Sequence, residues 1–249
     1  MKRFSALLCI VLLVGCSRDL DMSGFEHMPP EKVLELGIKA MNEKNYSVAI
    51  QIFEEFERLY PYSRLTADAQ INAGDCNYRA KKYDDAITSF EIFVKTHPQH
   101  KKVPYALYML GLINFEMMPI VERDQESTIK AISYLSELCT RYEDSEYVKQ
   151  ATEMVKKLRQ QMAGREVYVA RFYQKRNNYA AAVVRLNVVI NSYPETIHVP
   201  EAFHRLVECY VAMGFFDEAA LVNQILQKNF SDTQWAKYAS QLLSRQKPA

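Results

Sequence analysis

The chain has 249 residues, with 31 Lys or Arg against 30 Asp or Glu and a formal net charge of +1 at pH 7. That balance lacks the basic excess of a nucleic-acid binder, and 49% hydrophobic with 24% charged residues suits a folded soluble body. Only seven glycines, in a chain well supplied with Ala, Leu, Glu, Lys and Met, favour helix over sheet.

The first element is an address. Lys2 and Arg3 precede an apolar run from Phe4 to Val14, too short to span a bilayer and of the length of a signal-peptide core. The run closes in Leu13-Val14-Gly15-Cys16. This resembles the lipobox of bacterial lipoproteins, which implies removal of residues 1–15 and lipidation of Cys16. Ser17 rather than Asp after the cysteine implies, by the same resemblance, sorting to the outer membrane. Residues 16–29 then read as a flexible, lipid-anchored tether ending in Pro29.

From residue 30 onward one unit recurs. Tyr46, Ala49, Phe53 and Pro61 are repeated at the same offsets by Tyr83, Ala86, Phe90 and Pro98, and by Tyr179, Ala182, Leu186 and Pro194. Phe216, Ala219, Asn223 and Ser231 form a further copy, and Thr128, Ala131, Leu135 and Glu143 keep the spacing without the aromatic and the proline. Nine residues before the aromatic stand Gly37, Gly74, Ala170 and Val207; Gly111 holds the corresponding place in the third copy. The physics is that of a helical hairpin. A small residue lets two antiparallel helices approach, an aromatic fills the space under the turn, and a proline stops the second helix. The pattern resembles the tetratricopeptide repeat, a helix-turn-helix unit of about 34 residues. The predicted fold is all-α: a repeat solenoid of five hairpins, with residues 233–245 as a capping helix. Residues 117–127 read as a loop inserted in the third copy. Residues 145–164 read as an extra helical stretch able to join the first helix of the fourth copy, with a kink expected at Gly164. This divides the body into residues 30–145, repeats one to three, and residues 146–249, the remainder.

No catalytic constellation accompanies the repeats. Gly-rich phosphate loops, G-x-S-x-G, H-E-x-x-H and C-x-x-C are all missing from the sequence. His97 and His100 flank a repeat-end proline without further nearby ligands, and Cys76, Cys139 and Cys209 are too scattered for a disulfide framework. The expectation is a protein that is not an enzyme and holds neither metal nor cofactor.

The alignment places certain positions of each first helix toward the inner face of the solenoid. In copies one to three these include Leu34, Ile38, Ile71, Tyr78, Tyr105, Tyr108, Leu112 and Phe115, an apolar and aromatic stripe fit for an extended or helical peptide. In copies four and five they include Gly164, Val167, Arg171, Gln174, Glu201, His204 and Glu208, a more polar set. The alternative is that the extra helix or the tether covers the apolar stripe.

Residues 97–115 and 165–196, the opening MPPEKVLELG (28–37), the lipobox and the five repeats resemble the BamD family. These are the tetratricopeptide lipoproteins of the outer-membrane β-barrel assembly machine. The resemblance runs nearly end to end, although the 117–127 loop is shorter than in some members. It implies a non-enzymatic scaffold, lipid-anchored on the periplasmic face of the outer membrane. It also implies that repeats one to three recognise the C-terminal targeting strands of unfolded β-barrel proteins. The later repeats would dock on the periplasmic domains of BamA, alongside other assembly-machine lipoproteins. Arg185 matches an arginine of the family's fourth repeat and is the candidate docking contact; the other reading is a plain exposed helix charge. A pilotin-like lipoprotein guiding a secretin or pilus component, or a regulator of cell-wall enzymes, is the alternative.

Overall fold

The computed structural model describes residues 22, 24–117 and 126–246. Cys16 and its flanking signal segment lie outside these, as does most of the 117–127 loop. Among the described residues there are eleven α-helices and no strand. They are α1 (Pro30–Asn42), α2 (Tyr46–Leu59), α3 (Thr66–Arg79), α4 (Tyr83–Thr96), α5 (Val103–Glu116), α6 (Glu126–Arg141), α7 (Val148–Gln174), α8 (Tyr179–Ser192), α9 (Val199–Met213), α10 (Phe216–Phe230) and α11 (Gln234–Gln246).

The repeat alignment becomes geometry at the turns. Lys44, Lys81, Asn177 and Gly214, each seven residues after the aligned small residue, all have positive φ, between 58° and 81°. Each is followed by a backbone N–H that reaches back over the helix end: Asn45 to Ala40 O, Lys82 to Asn77 O, Asn178 to Tyr173 O and Phe215 to Tyr210 O, at 2.8–3.0 Å. This is the left-handed helix stop in which orphan carbonyls of the last turn are satisfied. Only the last of the four uses glycine, the residue to which that conformation costs least. The aromatic that starts each second helix comes two residues later, at Tyr46, Tyr83, Tyr179 and Phe216.

Packing follows the same register. Ala49, Ala86, Ala131, Ala182 and Ala219 are fully buried, as are Phe90, Leu135 and Leu186. A Cβ placed on Gly37 would lie 2.4 Å from the Phe53 ring, and one on Gly111 would lie 2.4 Å from Leu135. The bare backbone of the first helix is therefore the seat of a large side chain from the second. Each such side chain contributes roughly 1.5–3 kcal/mol by burial.

The chain forms two compact units that divide after Ser89, inside α4, rather than near residue 145. In the first, Phe25, Val33, Leu34, Phe53 and Phe56 belong to one core. In the second, α7 runs unbroken through Gly164 for 27 residues, so the extra stretch and the first helix of the fourth copy are one helix. Its Ala163, Val167 and Ala170 pack with Leu186 and Val189 of α8 and with Val199, Ala202 and Leu206 of α9. α11 closes this unit against α9 and α10, where Ala236 and Ala239 join Val207, Ala219 and Leu226.

The expected tether is shorter than residues 16–29. A 3-10 turn, Phe25–His27, precedes α1. The Tyr60 hydroxyl donates to the carbonyls of Phe25 (3.0 Å) and Met28 (2.5 Å), while Phe25 is buried and Met22 packs beside it. The segment is thus fastened to the end of α2.

Candidate peptide-binding site

α5 is almost wholly uncharged, from Val103 to Phe115, and this sets its two faces. Val103, Ala106, Leu107, Leu110 and Ile113 are buried, and Tyr105, Tyr108, Leu112 and Phe115 are half-buried. The latter recur at spacings of three and four, so they share one side of the helix. Tyr147, the residue that caps α7, stacks on Tyr108 at 5.1 Å and 25° and leans on Tyr105 at 5.7 Å. Its position is set by a tight turn in which its N–H donates to Ser145 Oγ. The start of α7 therefore covers part of this aromatic side.

In the first unit the expected residues separate. Ile38 is exposed and Tyr78 half-buried, with its ring 6.0 Å from that of Tyr83. Leu34 and Ile71 are 9% and 2% exposed, so they act in packing and not as an open lining. The same correction applies in the second unit, where Val167, Glu201 and His204 are buried. Val167 packs against α8 and α9, Glu201 meets Arg171 of α7, and the His204 ring lies beside Trp235 and Tyr238 of α11.

That contact between α7 and α9 is ionic. Glu201 Oε1 accepts from Arg171 Nε at 2.8 Å and Arg205 Nε at 2.6 Å. Gln174 joins Arg205 Nη1 at 3.0 Å to Glu208 at 3.2 Å, and Glu208 faces His204 Nε2 at 3.3 Å. Burial pushes the Glu201 carboxyl up, but the hydrogen bonds from Arg171 and then Arg205 outweigh it and hold it below its ordinary value. These charges satisfy one another and act as a clamp between helices. Arg185, the candidate docking contact, is on α8 with its guanidinium 3.3 Å from Glu166 and substantial exposure.

One surface was not anticipated. On α7, Gly164, Arg165, Tyr168, Val169 and Phe172 line an open groove of about 660 Å³ together with His198. Tyr168 is 62% and Phe172 47% exposed. The aligned positions pointed one residue away, to Val167 and Arg171. Two aromatics four apart beside a glycine were the signal available in the sequence.

The remaining candidates are structural. The rings of His97 and His100 pack against Phe93. Cys76 and Cys209 are buried, and burial pushes their thiols up to about 12 and about 11. Among the described residues no group of three or more His, Cys, Asp or Glu is placed to hold a metal ion, and no helix is long and apolar enough to cross a membrane.

Residues 26–225 match the family described as YfiO, outer membrane lipoprotein. The chain belongs to this family. It is 30% identical over 242 residues to the outer membrane protein assembly factor BamD of Caulobacter vibrioides, covering 96% of this chain and 79% of that protein. Identity to the assembly factor BamD of Rickettsia prowazekii is 28% over 242 residues, covering 97% and 96%. Among solved structures, the tetratricopeptide domain of P58(IPK) is similar at a TM-score of 0.46 and 12% identity, covering 87% of this chain and 65% of that one.

Proposed function

We propose that this protein is an outer-membrane protein assembly factor: a non-enzymatic lipoprotein, anchored through Cys16 on the periplasmic face of the outer membrane. The observation that carries the reading is membership, along nearly the whole chain, of a family whose relatives bear the assembly-factor name. The repeats supply surfaces for helices and peptides, and their conspicuous side chains serve packing. The aromatic side of α5 supports a receptor role. Strands of outer-membrane barrels alternate apolar and polar residues and carry aromatic girdles, and an aromatic at a strand terminus fits against Tyr105, Tyr108, Leu112 and Phe115. Within the first unit, Ile38 and Tyr78 are candidate contacts of their own. BamA and other assembly-machine lipoproteins are the proposed partners, with Arg185, whose exposed guanidinium pairs with the largely buried Glu166, as a docking contact.

The test is copurification from solubilised outer membranes together with anisotropy of a labelled terminal peptide of a barrel protein. Tyr108→Ser with Phe115→Ser is expected to weaken peptide binding by about tenfold to a hundredfold, the equivalent of one buried aromatic. Arg185→Leu is expected to leave peptide binding unchanged and to reduce BamA recovery. Undiminished peptide binding by the double variant would remove the receptor role. A secretin or a peptidoglycan synthase recovered in place of BamA would remove the assembly role.

A further inference from the structure

The groove on α7 is independent of the α5 surface, and four observations bear on what fills it. First, it is built of apolar side chains left in solvent. Tyr168 and Phe172 remain largely exposed although the helix that carries them is otherwise packed by Ala163, Val167 and Ala170. Second, it has a bare floor. A Cβ on Gly164 would lie 3.0 Å from His198 Nε2, so at this turn a visiting chain meets backbone and imidazole without an intervening side chain. Third, its charge has one sign. Among the described lining residues Arg165 is the only charged one, and Arg176 lies over the Phe172 ring with its guanidinium 3.6 Å from the ring centre. The nearby carboxylates are engaged elsewhere, Glu166 with Arg185 and Glu201 with Arg171 and Arg205. Burial lowers the pKa of His198, which leaves that side chain a neutral hydrogen-bonding wall at neutral pH. Fourth, its length suits a peptide. Residues 161–172 of a helix span about 16 Å, the reach of about five extended residues.

We propose that this groove docks an acidic, aromatic-bearing polypeptide segment of a partner protein. An aromatic or aliphatic side chain of the partner lies between Tyr168 and Phe172 over Gly164, and a carboxylate of the same segment pairs with the Arg165 guanidinium. The fork of an arginine and the flat face of a tyrosine are a complementary pair for such a segment. The partner gains the apolar burial that Tyr168 and Phe172 lack within the chain.

The experiment uses the full chain in phosphatidylcholine nanodiscs and two fluorescent heptapeptides, both acetylated and amidated. One alternates glutamate with phenylalanine and leucine; the other has lysine in place of every glutamate. Anisotropy is expected to show at least tenfold tighter binding of the acidic peptide. Tyr168→Ser with Phe172→Ser is expected to weaken it tenfold or more, and Arg165→Gln to abolish the preference for glutamate over lysine. Ile129→Ser, at an exposed position of α6, is expected to leave acidic-peptide binding unchanged, and circular dichroism melts confirm that each variant is folded. Equal binding of the two peptides, or full binding by the Tyr168/Phe172 variant, would overturn the proposal. Loss of binding that follows Tyr108→Ser would assign the peptide to α5 and overturn it as well. Tyr168→p-benzoylphenylalanine, photoactivated in the same nanodiscs, is expected to crosslink the acidic peptide; crosslinking to phospholipid in its place would make the groove a membrane contact and refute peptide docking.

Discussion

Two helices of the second unit carry aromatic residues at helical spacing, and their surroundings treat them in opposite ways. On α5, Tyr105 and Tyr108 meet Tyr147, which caps the long helix α7. On α7 itself, Tyr168 and Phe172 stand open, with Arg176 over the latter ring and Tyr173 at its edge. Sequence spacing places both sets on one side of a helix, but it does not say whether another element reaches them. Coverage depends on where the chain goes next. The turn at 142–147 delivers a ring onto α5, whereas the turn after α7 carries Asn177 and Asn178 away into α8.

The largest expected effect breaks the clamp that sets the opposite side of α7. Glu201→Ala removes the buried partner of Arg171 and Arg205 and is expected to cost about 3 kcal/mol, read as a lowered denaturation midpoint. It is also expected to weaken peptide binding at Tyr168 and Phe172 while sparing the α5 surface. The pH dependence has a definite sign. The Glu201 carboxyl titrates below its ordinary value near 4.5 when folded, so its contribution is fully present above that value and is lost as pH falls through the lower folded pKa. The stability gap between the parent protein and Glu201→Gln is therefore expected to narrow only in the acid region below about pH 4.5. A gap that is constant with pH would deny the ion pairs.

Next in size is the seat under α5. Gly111→Leu drives a branched side chain into Leu135, which a bare Cβ already approaches to 2.4 Å, and a cost of about 2 kcal/mol is expected from overpacking. Smaller is Tyr147→Ser, which lifts the cover from Tyr105 and Tyr108. Loss of two ring contacts is expected to cost about 1 kcal/mol, and affinity of the α5 side for a terminal aromatic peptide is expected to rise. Unchanged affinity would show that Tyr147 does not obstruct that side. The smallest is Gly164→Ala. The side chain it meets is the His198 imidazole at 3.0 Å, and the helix propensity gained, about 1 kcal/mol, offsets the displacement. Melting is expected to stay near that of the parent, while acidic-peptide binding over the filled floor falls.

Much of this fold was legible in the sequence, because the repeat is written in residues that do one physical job each. Ala49, Ala86, Ala131, Ala182 and Ala219 hold the small position of each second helix, and all five are fully buried. The aromatics at Tyr46, Tyr83, Tyr179 and Phe216 open their helices as their offsets predict. The joining of residues 145–164 to the fourth copy was also readable, since nothing in that stretch stops a helix. The surfaces were less legible. Leu34, Ile71, Val167 and His204 were assigned to an inner face by alignment, yet alignment fixes only which side of a helix a residue occupies. Whether that side is open depends on contact with the neighbouring first helix, as between α7 and α9. The tether was misjudged for a related reason: Phe25 is a single core residue in a polar stretch, and its seat is completed by Tyr60, 35 positions away.

That fastening changes the leash. With a lipid on Cys16 as proposed, the chain length between the anchor and the fastened body is that of residues 16–22 and not of residues 16–30. Fully stretched it reaches about 20 Å instead of about 50 Å. The volume swept by the first repeat about its anchor shrinks with the cube of that reach, by roughly an order of magnitude. The local concentration of the repeat near membrane-bound partners rises by a similar factor. The Tyr60 hydroxyl, whose one proton is shared between the carbonyls of Phe25 and Met28, would thus hold the start of the body within that short reach of an anchor at Cys16.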